Sequence, residues 1–442
     1  MENQDADWKK LLSRLSIPVL VIGLLLVLFT PRPTSAVPMF ARRYNLKCYA
    51  CHTIPPMLNE NGWMFLRLGY HLPPALQPDH RPVTISDLVK EEPKWRLSNN
   101  ASLAVVDGSY SAERTRTEGS APSSTSAFQI GSWNAYFGGW IPNTNFFYYA
   151  EDDIVTGGSS DNTLMNAIFG YAGGTARSSW YAEAGRMHLQ VAQGTRAAEV
   201  YSLLPTSPLL FENMGPTNFV FDQSPVGAQV GYTWASPKYK NVLAATLMVT
   251  NGDNADGSEI LGPSDRNSKD LWFDADWWYA PESGVTFLDY YGRKDQIQNP
   301  GLSNQFTFTP VIRRQGIFAN YRLFHPINLD ILGGYMHGRD NWLFTLGGHP
   351  EHYLSDGYFC EADYYIRRGL ALVGRYDGLH QELTGGSGRT FIHDWTVGAE
   401  KAFTPSGNIV GRVAYGYTSG RDPLSALSST DKLFQADLAF NF

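Results

Sequence analysis

Leu433-Phe434-Gln435-Ala436-Asp437-Leu438-Ala439-Phe440-Asn441-Phe442 alternates in character residue by residue. In an extended chain, successive side chains point to opposite sides. Phe434, Ala436, Leu438, Phe440 and Phe442 therefore share one face, and Gln435, Asp437, Ala439 and Asn441 share the other. Working back, the pattern recurs. Ile409, Gly411, Val413, Tyr415 and Tyr417 alternate with Arg412, Ala414, Gly416 and Thr418. Trp395, Val397 and Ala399 alternate with Asp394, Thr396 and Glu400. Tyr358, Cys360, Ala362 and Tyr364 alternate with Glu361 and Asp363, and Phe273, Ala275, Trp277 and Tyr279 with Asp274 and Asp276. About sixteen such segments lie between Lys94 and Phe442, each bounded by Gly, Asn, Asp, Ser or Pro.

A soluble sandwich would also alternate. Three features favour a membrane barrel. Aromatic residues cluster near the strand ends, as in interfacial girdles. The chain opens on an export signal. Its closing amphipathic strand, with Phe442 last, resembles the terminal signature of bacterial outer-membrane barrels. A spacing of about 22 residues per strand and turn fits membrane strands of about 9–11 residues with loops. The expected fold is mainly β: a transmembrane antiparallel barrel of about sixteen strands over 94–442, preceded by a small helical segment. The interval Val191–Ser224 breaks the rhythm with Leu203, Leu204, Pro208, Leu209, Leu210, Phe211 and Met214. It reads equally as an inward-folded constriction, an extracellular loop or a plain connection.

Residues 1–36 read as a signal peptide. Lys9, Lys10 and Arg14 precede the uncharged run Ile17–Phe29, and Thr34-Ser35-Ala36 offers a small-residue cleavage site. An uncleaved anchor is the other reading. Aromatics make up 14% of the 442 residues, charged residues only 17%, and the net charge is −7. With no basic run, nucleic acid is excluded as a partner. With 3 cysteines, of which Cys360 stands alone, this is no disulfide scaffold. Cys360 reads as a small buried or lipid-facing residue. Residues 78–93 (PDHRPVTISDLVKEEP) form a Pro- and charge-rich linker between a segment over 37–77 and the strands.

That segment carries the chemistry. Cys48-Tyr49-Ala50-Cys51-His52 places two thiols three residues apart, able to add to the two vinyl groups of one haem. The adjacent histidine then faces the iron, which is the attachment signature of c-type haem. A thioredoxin-like pair would need a βαβ setting, and a zinc site a second ligand pair at short spacing; neither is present. The expectation is one covalent haem c on Cys48 and Cys51, with His52 as proximal ligand. Met39–Tyr44 reads as a short helix. Leu58, Gly62, Phe65, Leu66 and Gly69 fall on one helical face that could pack on a haem edge. The sixth ligand stays open among His71, Met64, His80, Met57 or none, with His71 foremost. Methionine would raise the potential relative to histidine.

The run VPMFARRYNLKCYACHTIPPMLNENGWMFLRLGY, Val37–Tyr70, resembles the N-terminal segment of the fused monohaem cytochrome–porins of iron-oxidising bacteria. The likeness rests on Pro38, Phe40-Ala41-Arg42, the haem motif, Pro56, Leu58-Asn59, Gly62, Phe65 and Gly69-Tyr70. It implies an outer-membrane electron conduit that oxidises extracellular Fe(II), in effect an iron(II) oxidase. Electrons would pass to periplasmic cytochromes or cupredoxins. Some of these relatives carry methionine shortly after the Gly-Tyr pair. Here His71 and Leu72 stand there, which points to a lower potential and away from acid-type iron oxidation. An apolar belt about 25 Å tall would separate a periplasmic haem from the outside. The segment is therefore expected inside the lumen, solvated by Asp274, Asp276, Glu361, Asp363 and Arg412. Asp253, Asp256 and Glu259 are weak candidate iron ligands on a loop. The alternatives are a solute porin with a structural or sensory haem, and a reductive conduit sending electrons outward.

Overall fold

The computed structural model describes residues 39–54, 57–71, 86, 100–156, 163–175, 177–187, 203–204, 208–212, 214, 225–236, 241–251, 269–280, 283–293, 296–298, 306–308, 311–323, 327–342, 351–383, 389–404, 409–421 and 428–441. The signal peptide at 1–36, nearly all of the 78–93 linker, His80, Asp253, Asp256, Glu259 and Phe442 lie outside these residues.

The N-terminal part is small. Helix α1 is Met39–Arg43, and a single 3-10 turn covers Cys48–Ala50. Strands β1 (His52–Ile54) and β2 (Met57–Leu58) pair antiparallel, and α2 is Glu60–Arg67. The next two strands are β3 Ala101–Thr117 and β4 Ser123–Trp140, followed by β5 Phe146–Thr156, β6 Thr163–Thr175, β7 Ser178–Arg186, β8 Val226–Ala235, β9 Val242–Thr250, β10 Asp270–Ala280 and β11 Ser283–Arg293. A two-stranded hairpin follows, β12 Gln296–Gln298 with β13 Phe306–Phe308. The chain continues as β14 Val311–Leu323, β15 Leu329–Trp342, β16 Glu351–Arg367, β17 Leu370–Leu383, β18 Arg389–Ala402, β19 Ile409–Arg421 and β20 Ser428–Asn441. Among the described residues, β3–β11 and β14–β20 form one closed antiparallel barrel of sixteen strands, sealed where β20 pairs β3. Closure matters because an open edge would leave backbone groups unpaired in lipid.

The period-two pattern holds strand by strand. On β10, Leu271, Phe273, Trp277 and Tyr279 are exposed, while Trp272, Asp274, Asp276 and Trp278 are buried. On β18, Trp395 and Val397 face out at 59% and 57% exposure, and Asp394, Thr396 and Glu400 face in. Cys360 is on the exposed outer face. So many large apolar side chains on one continuous outer surface would be untenable in water, but they suit a bilayer. Several strands are longer than the 9–11 residues that a bilayer requires: β4 has 18 and β16 has 17. The extra length extends the wall beyond the apolar core, where water meets the backbone.

The two ends differ. The connections at 141–145, 176–177, 236–241, 281–282, 324–328, 368–369 and 403–408 are all short, and they share an end with the start of β3 and the close of β20. The long connections, 187–225, 251–269 and 294–310, are at the opposite end. Short turns mark the periplasmic side of such barrels.

Candidate functional site

Asn59 organises the N-terminal segment. Its side-chain oxygen accepts hydrogen bonds from the backbone N–H groups of Asn61 (3.0 Å) and Gly62 (3.2 Å), capping α2. Its Nδ2 donates to the carbonyls of Tyr49 and Ala50, each at 3.3 Å, and its backbone N–H donates to the Cys51 carbonyl at 2.9 Å. One residue thus ties the helix to the turn that carries both cysteines. Gly62 is required there, because a Cβ would run into the Cys51 carbonyl. Cys48 and Cys51 lie on the same turn with the Cys51 N–H donating to the Cys48 carbonyl at 3.1 Å, and both thiols are free of disulfides. Burial pushes the Cys48 thiol up to about 11, against a backbone hydrogen bond that lowers it. Burial, reinforced by Cys48, pushes Cys51 up to about 12. His52 follows as the first residue of β1.

The segment is seated against the inner wall at the short-turn end. Arg67, 4% exposed, ion-pairs with Asp276 (2.5 Å) and Asp274 (3.5 Å) of β10 and donates to the Thr246 hydroxyl of β9. Burial opposes the guanidinium's charge, but the two carboxylates more than offset it. Trp63 stacks on Trp278, with ring centroids 4.2 Å apart. After α2 the chain reverses through Gly69 and Tyr70, both at φ +64°. Gly69 packs closely on Phe147, and Tyr70 is stabilised by stacking on Tyr149 at 5.1 Å. Met57 receives a hydrogen bond from the Tyr365 hydroxyl at 3.2 Å. The Tyr49 ring lies under the Arg368 guanidinium at 4.4 Å, with its hydroxyl over Gly369.

Cys48, Cys51 and His52 are therefore together on one turn, docked beside the β16–β17 turn. His71 is fully buried and stacks on Trp140, the last residue of β4, at 3.4 Å and 14°. That is five strands around the wall from β17. Met64 belongs to the buried apolar core. The expected face of α2 divides its work: Gly62 meets the cysteine turn, and Phe65 packs edge-on to Phe40 at 4.8 Å. The opposite face, Trp63 and Arg67, is buried too, because the helix lies within the barrel wall.

The described residues of the interval 191–224, namely 203–204, 208–212 and 214, pack inward. Helix α3 (Leu209–Glu212) lies against β16 and β17. Phe211 stacks on Phe318 at 5.7 Å, and Leu203, Leu204, Leu210 and Met214 are buried. Its seat is cut from glycines: a Cβ on Gly357 would meet Leu210, on Gly338 Met214, and on Gly398 Leu204. Arg314, paired with Asp340, donates to the Met214 carbonyl at 2.8 Å.

Asp274, Asp276, Glu361, Asp363 and Arg412 all line the lumen, buried or nearly so. Arg375 bridges Asp377 (2.8 Å) and Glu361 (3.5 Å), Arg322 holds Asp330 at 2.5 Å, and Arg412 faces Asp437 at 3.7 Å. Glu400 is fully buried, with no hydrogen-bond partner on either carboxylate oxygen among the described residues. Asn59, Trp63, Arg67 and Glu400 are absent from the sequence-derived site. Asn59 alone left a signal, standing just before a helix start.

Neither a protein-family model nor a curated relative matches the chain. Solved structures do. An anion-selective porin from Comamonas acidovorans aligns at 10% identity and TM-score 0.50, covering 77% of this chain and 100% of that one. OmpT of Vibrio cholerae, an outer membrane protein, aligns at 14% identity and TM-score 0.49, covering 77% and 100%. The channel DcaP of Acinetobacter baumannii gives 10% and 0.46, covering 78% and 98%. The first of these likenesses concerns the fold alone. Joined to the closed barrel and its apolar outer belt, it makes this chain a porin-like transmembrane β-barrel of the outer membrane.

Proposed function

We propose that the chain is an outer-membrane electron conduit, of the fused cytochrome–porin kind, carrying one covalent haem c inside the barrel mouth. The observation that carries this reading is the position of the Cys48–His52 turn: it is clasped by Asn59 and docked at the barrel rim, against the β16–β17 turn. The residues fit the group. Two unpaired thiols share a turn, the next residue is a histidine, and the turn is fixed to a helix that a side chain at Gly62 would push away. Cys48 and Cys51 would hold the haem as thioethers and His52 would face the iron. His71 and Met64 remain the proposed choices for the other side. When bound, the haem supplies a one-electron ferric/ferrous couple. The protein's own part is positional. Asn59 holds the turn, Arg67 fixes depth and rotation in the mouth, and Trp63 and Tyr70 exclude water by stacking on the wall.

The preferred direction is oxidation of extracellular Fe(II) with delivery to periplasmic cytochromes or cupredoxins. Mixing the oxidised protein with Fe(II) across pH tests it, the expected result being a ferrous haem spectrum. No haem reduction at any pH would remove the iron-oxidation reading. A solute porin is the rival, favoured by the fold alone. Two pieces of chain packed in the lumen speak against it, and large open currents in a planar bilayer would establish it.

A further inference from the structure

Both carboxylate oxygens of the lumenal Glu400 are buried without a hydrogen-bond partner among the described residues. It is in the last turn-ward stretch of β18, pointing inward between the two pieces of chain that pack inside the barrel. On one side is Tyr49, the residue after Cys48, whose hydroxyl rests over Gly369 against Ala402. Tyr49 and Glu400 are within electrostatic reach of each other. On the other side, Leu204 covers Gly398, two residues along the same face. The charged and titratable groups facing Glu400 among the described residues are Arg412, its register partner on β19, Glu361 on β16, and Tyr49, with Arg368 over the Tyr49 ring. Arg412 is shared with Asp437, and its side chain is 17% exposed, so it reaches towards solvent. Both Glu400 oxygens are closed to solvent, and an incompletely compensated charge at such a place is costly.

We infer that Glu400 is a redox-linked proton site, taking up one proton as one electron reaches the cysteine–histidine turn and releasing it when the electron leaves. The inference rests on the haem reading above. The balance is simple: a one-electron donor reduces the iron, lowering local positive charge by one. Glu400 passes from carboxylate to acid with a proton from water at the barrel mouth, reached past Arg412. The net charge around the turn is thereby preserved in an enclosed region where an unbalanced change is expensive.

The test is a spectroelectrochemical titration of the full-length protein in detergent between pH 5 and 9. One proton per electron means that, at a fixed applied potential, the reduced-to-oxidised ratio falls about tenfold per unit rise in pH. The wild type should show that slope over a window, and Glu400→Gln should flatten it. Glu361→Gln should keep it, and Glu400→Asp should restore it in a displaced window. A flat wild-type ratio, or an unchanged slope in Glu400→Gln, overturns the proposal while leaving the haem reading intact. A purified chain with no covalent haem in a pyridine haemochrome assay overturns both. If Glu400→Gln does not assemble, Arg412→Gln carries the test. Loss of the facing cation should move the window to higher pH, and an unmoved window counts against Glu400.

Discussion

Two pieces of chain pack inside this barrel, and different forces hold them. Residues 39–71 are seated at the short-turn end and fastened by charge: Arg67 reaches Asp274 and Asp276 on β10. The described residues 203–204, 208–212 and 214 belong to a long-loop connection and are fastened by shape: Leu204, Leu210 and Met214 fit over Gly398, Gly357 and Gly338. A buried ion pair is directional, so it specifies where the N-terminal segment sits and how it is turned. Apolar contact on a glycine floor has no such direction, but it demands volume. On the proposed function, the N-terminal segment would need the first kind of attachment, because a shift of the cysteine turn would change every distance that electron transfer depends on. A seal needs only the second.

The largest way to break this comparison is to remove the charge. Arg67→Met leaves Asp274 and Asp276 adjacent, buried and without a cation, at an expected cost of about 3–5 kcal/mol. Chemical unfolding in detergent should show it, together with loss of the Trp63–Trp278 near-ultraviolet signature. Adding Asp274→Asn and Asp276→Asn should return most of the loss, since the penalty comes from unpaired charge. If the triple variant is no more stable than Arg67→Met, the latch is not electrostatic. The matching test of shape is Gly357→Val, which drives a side chain into Leu210. Overpacking of this kind costs about 1–3 kcal/mol. The cost should fall on the loop, so planar-bilayer conductance and protease cleavage near 203–214 should rise while haem content is unchanged.

What the sequence revealed follows the same division. The barrel was legible because a strand's period is two, and Leu433–Asn441 or Asp270–Ala280 states its two faces locally. The cysteine turn was legible because its chemistry is contiguous. Arg67 was not, because its partners are more than two hundred residues away and nothing in a helix marks which arginine will find a carboxylate. The interval 191–224 was legible as apolar, with an inward fold only one of the readings left open. Its direction is set by Gly338, Gly357 and Gly398, ordinary glycines until Met214, Leu210 and Leu204 are seen over them. Glu400 alternates like any lumenal residue, and only packing shows that its oxygens lack a hydrogen-bond partner among the described residues.

A smaller test concerns how the N-terminal segment holds its own parts together. Asn59→Ala removes the α2 cap, a loss of about 1 kcal/mol, and also frees the Tyr49 and Ala50 carbonyls. Global stability should change little more than the cap predicts. Haem attachment should suffer more, read as the fraction of chains with covalent haem. Attachment at the wild-type level would mean that the turn orders without its clasp.

The last test separates the two seats by pH. The Cys48 and Cys51 thiols, whose ordinary value is 9.0, are pushed up to about 11 and about 12 by burial. Both therefore ionise more readily unfolded than folded. The stability they contribute is fully present below about pH 9 and is lost as pH rises from there through the folded values. A thioether has no proton to lose. Chains produced without attached haem should consequently weaken more steeply between pH 9 and 11 than haem-loaded chains, as followed by unfolding midpoints at pH 8, 9.5 and 11. The difference between the two preparations removes the tyrosines and lysines common to both. The glycine seat offers a built-in control: Leu203, Leu204, Leu210, Phe211 and Met214 carry nothing that titrates, so protease access there should not follow pH in either preparation. Parallel slopes for loaded and unloaded chains would place the thiols in water. The cysteine turn would then hang outside the mouth, and the contrast between a charged latch and an apolar seal would lose its functional meaning.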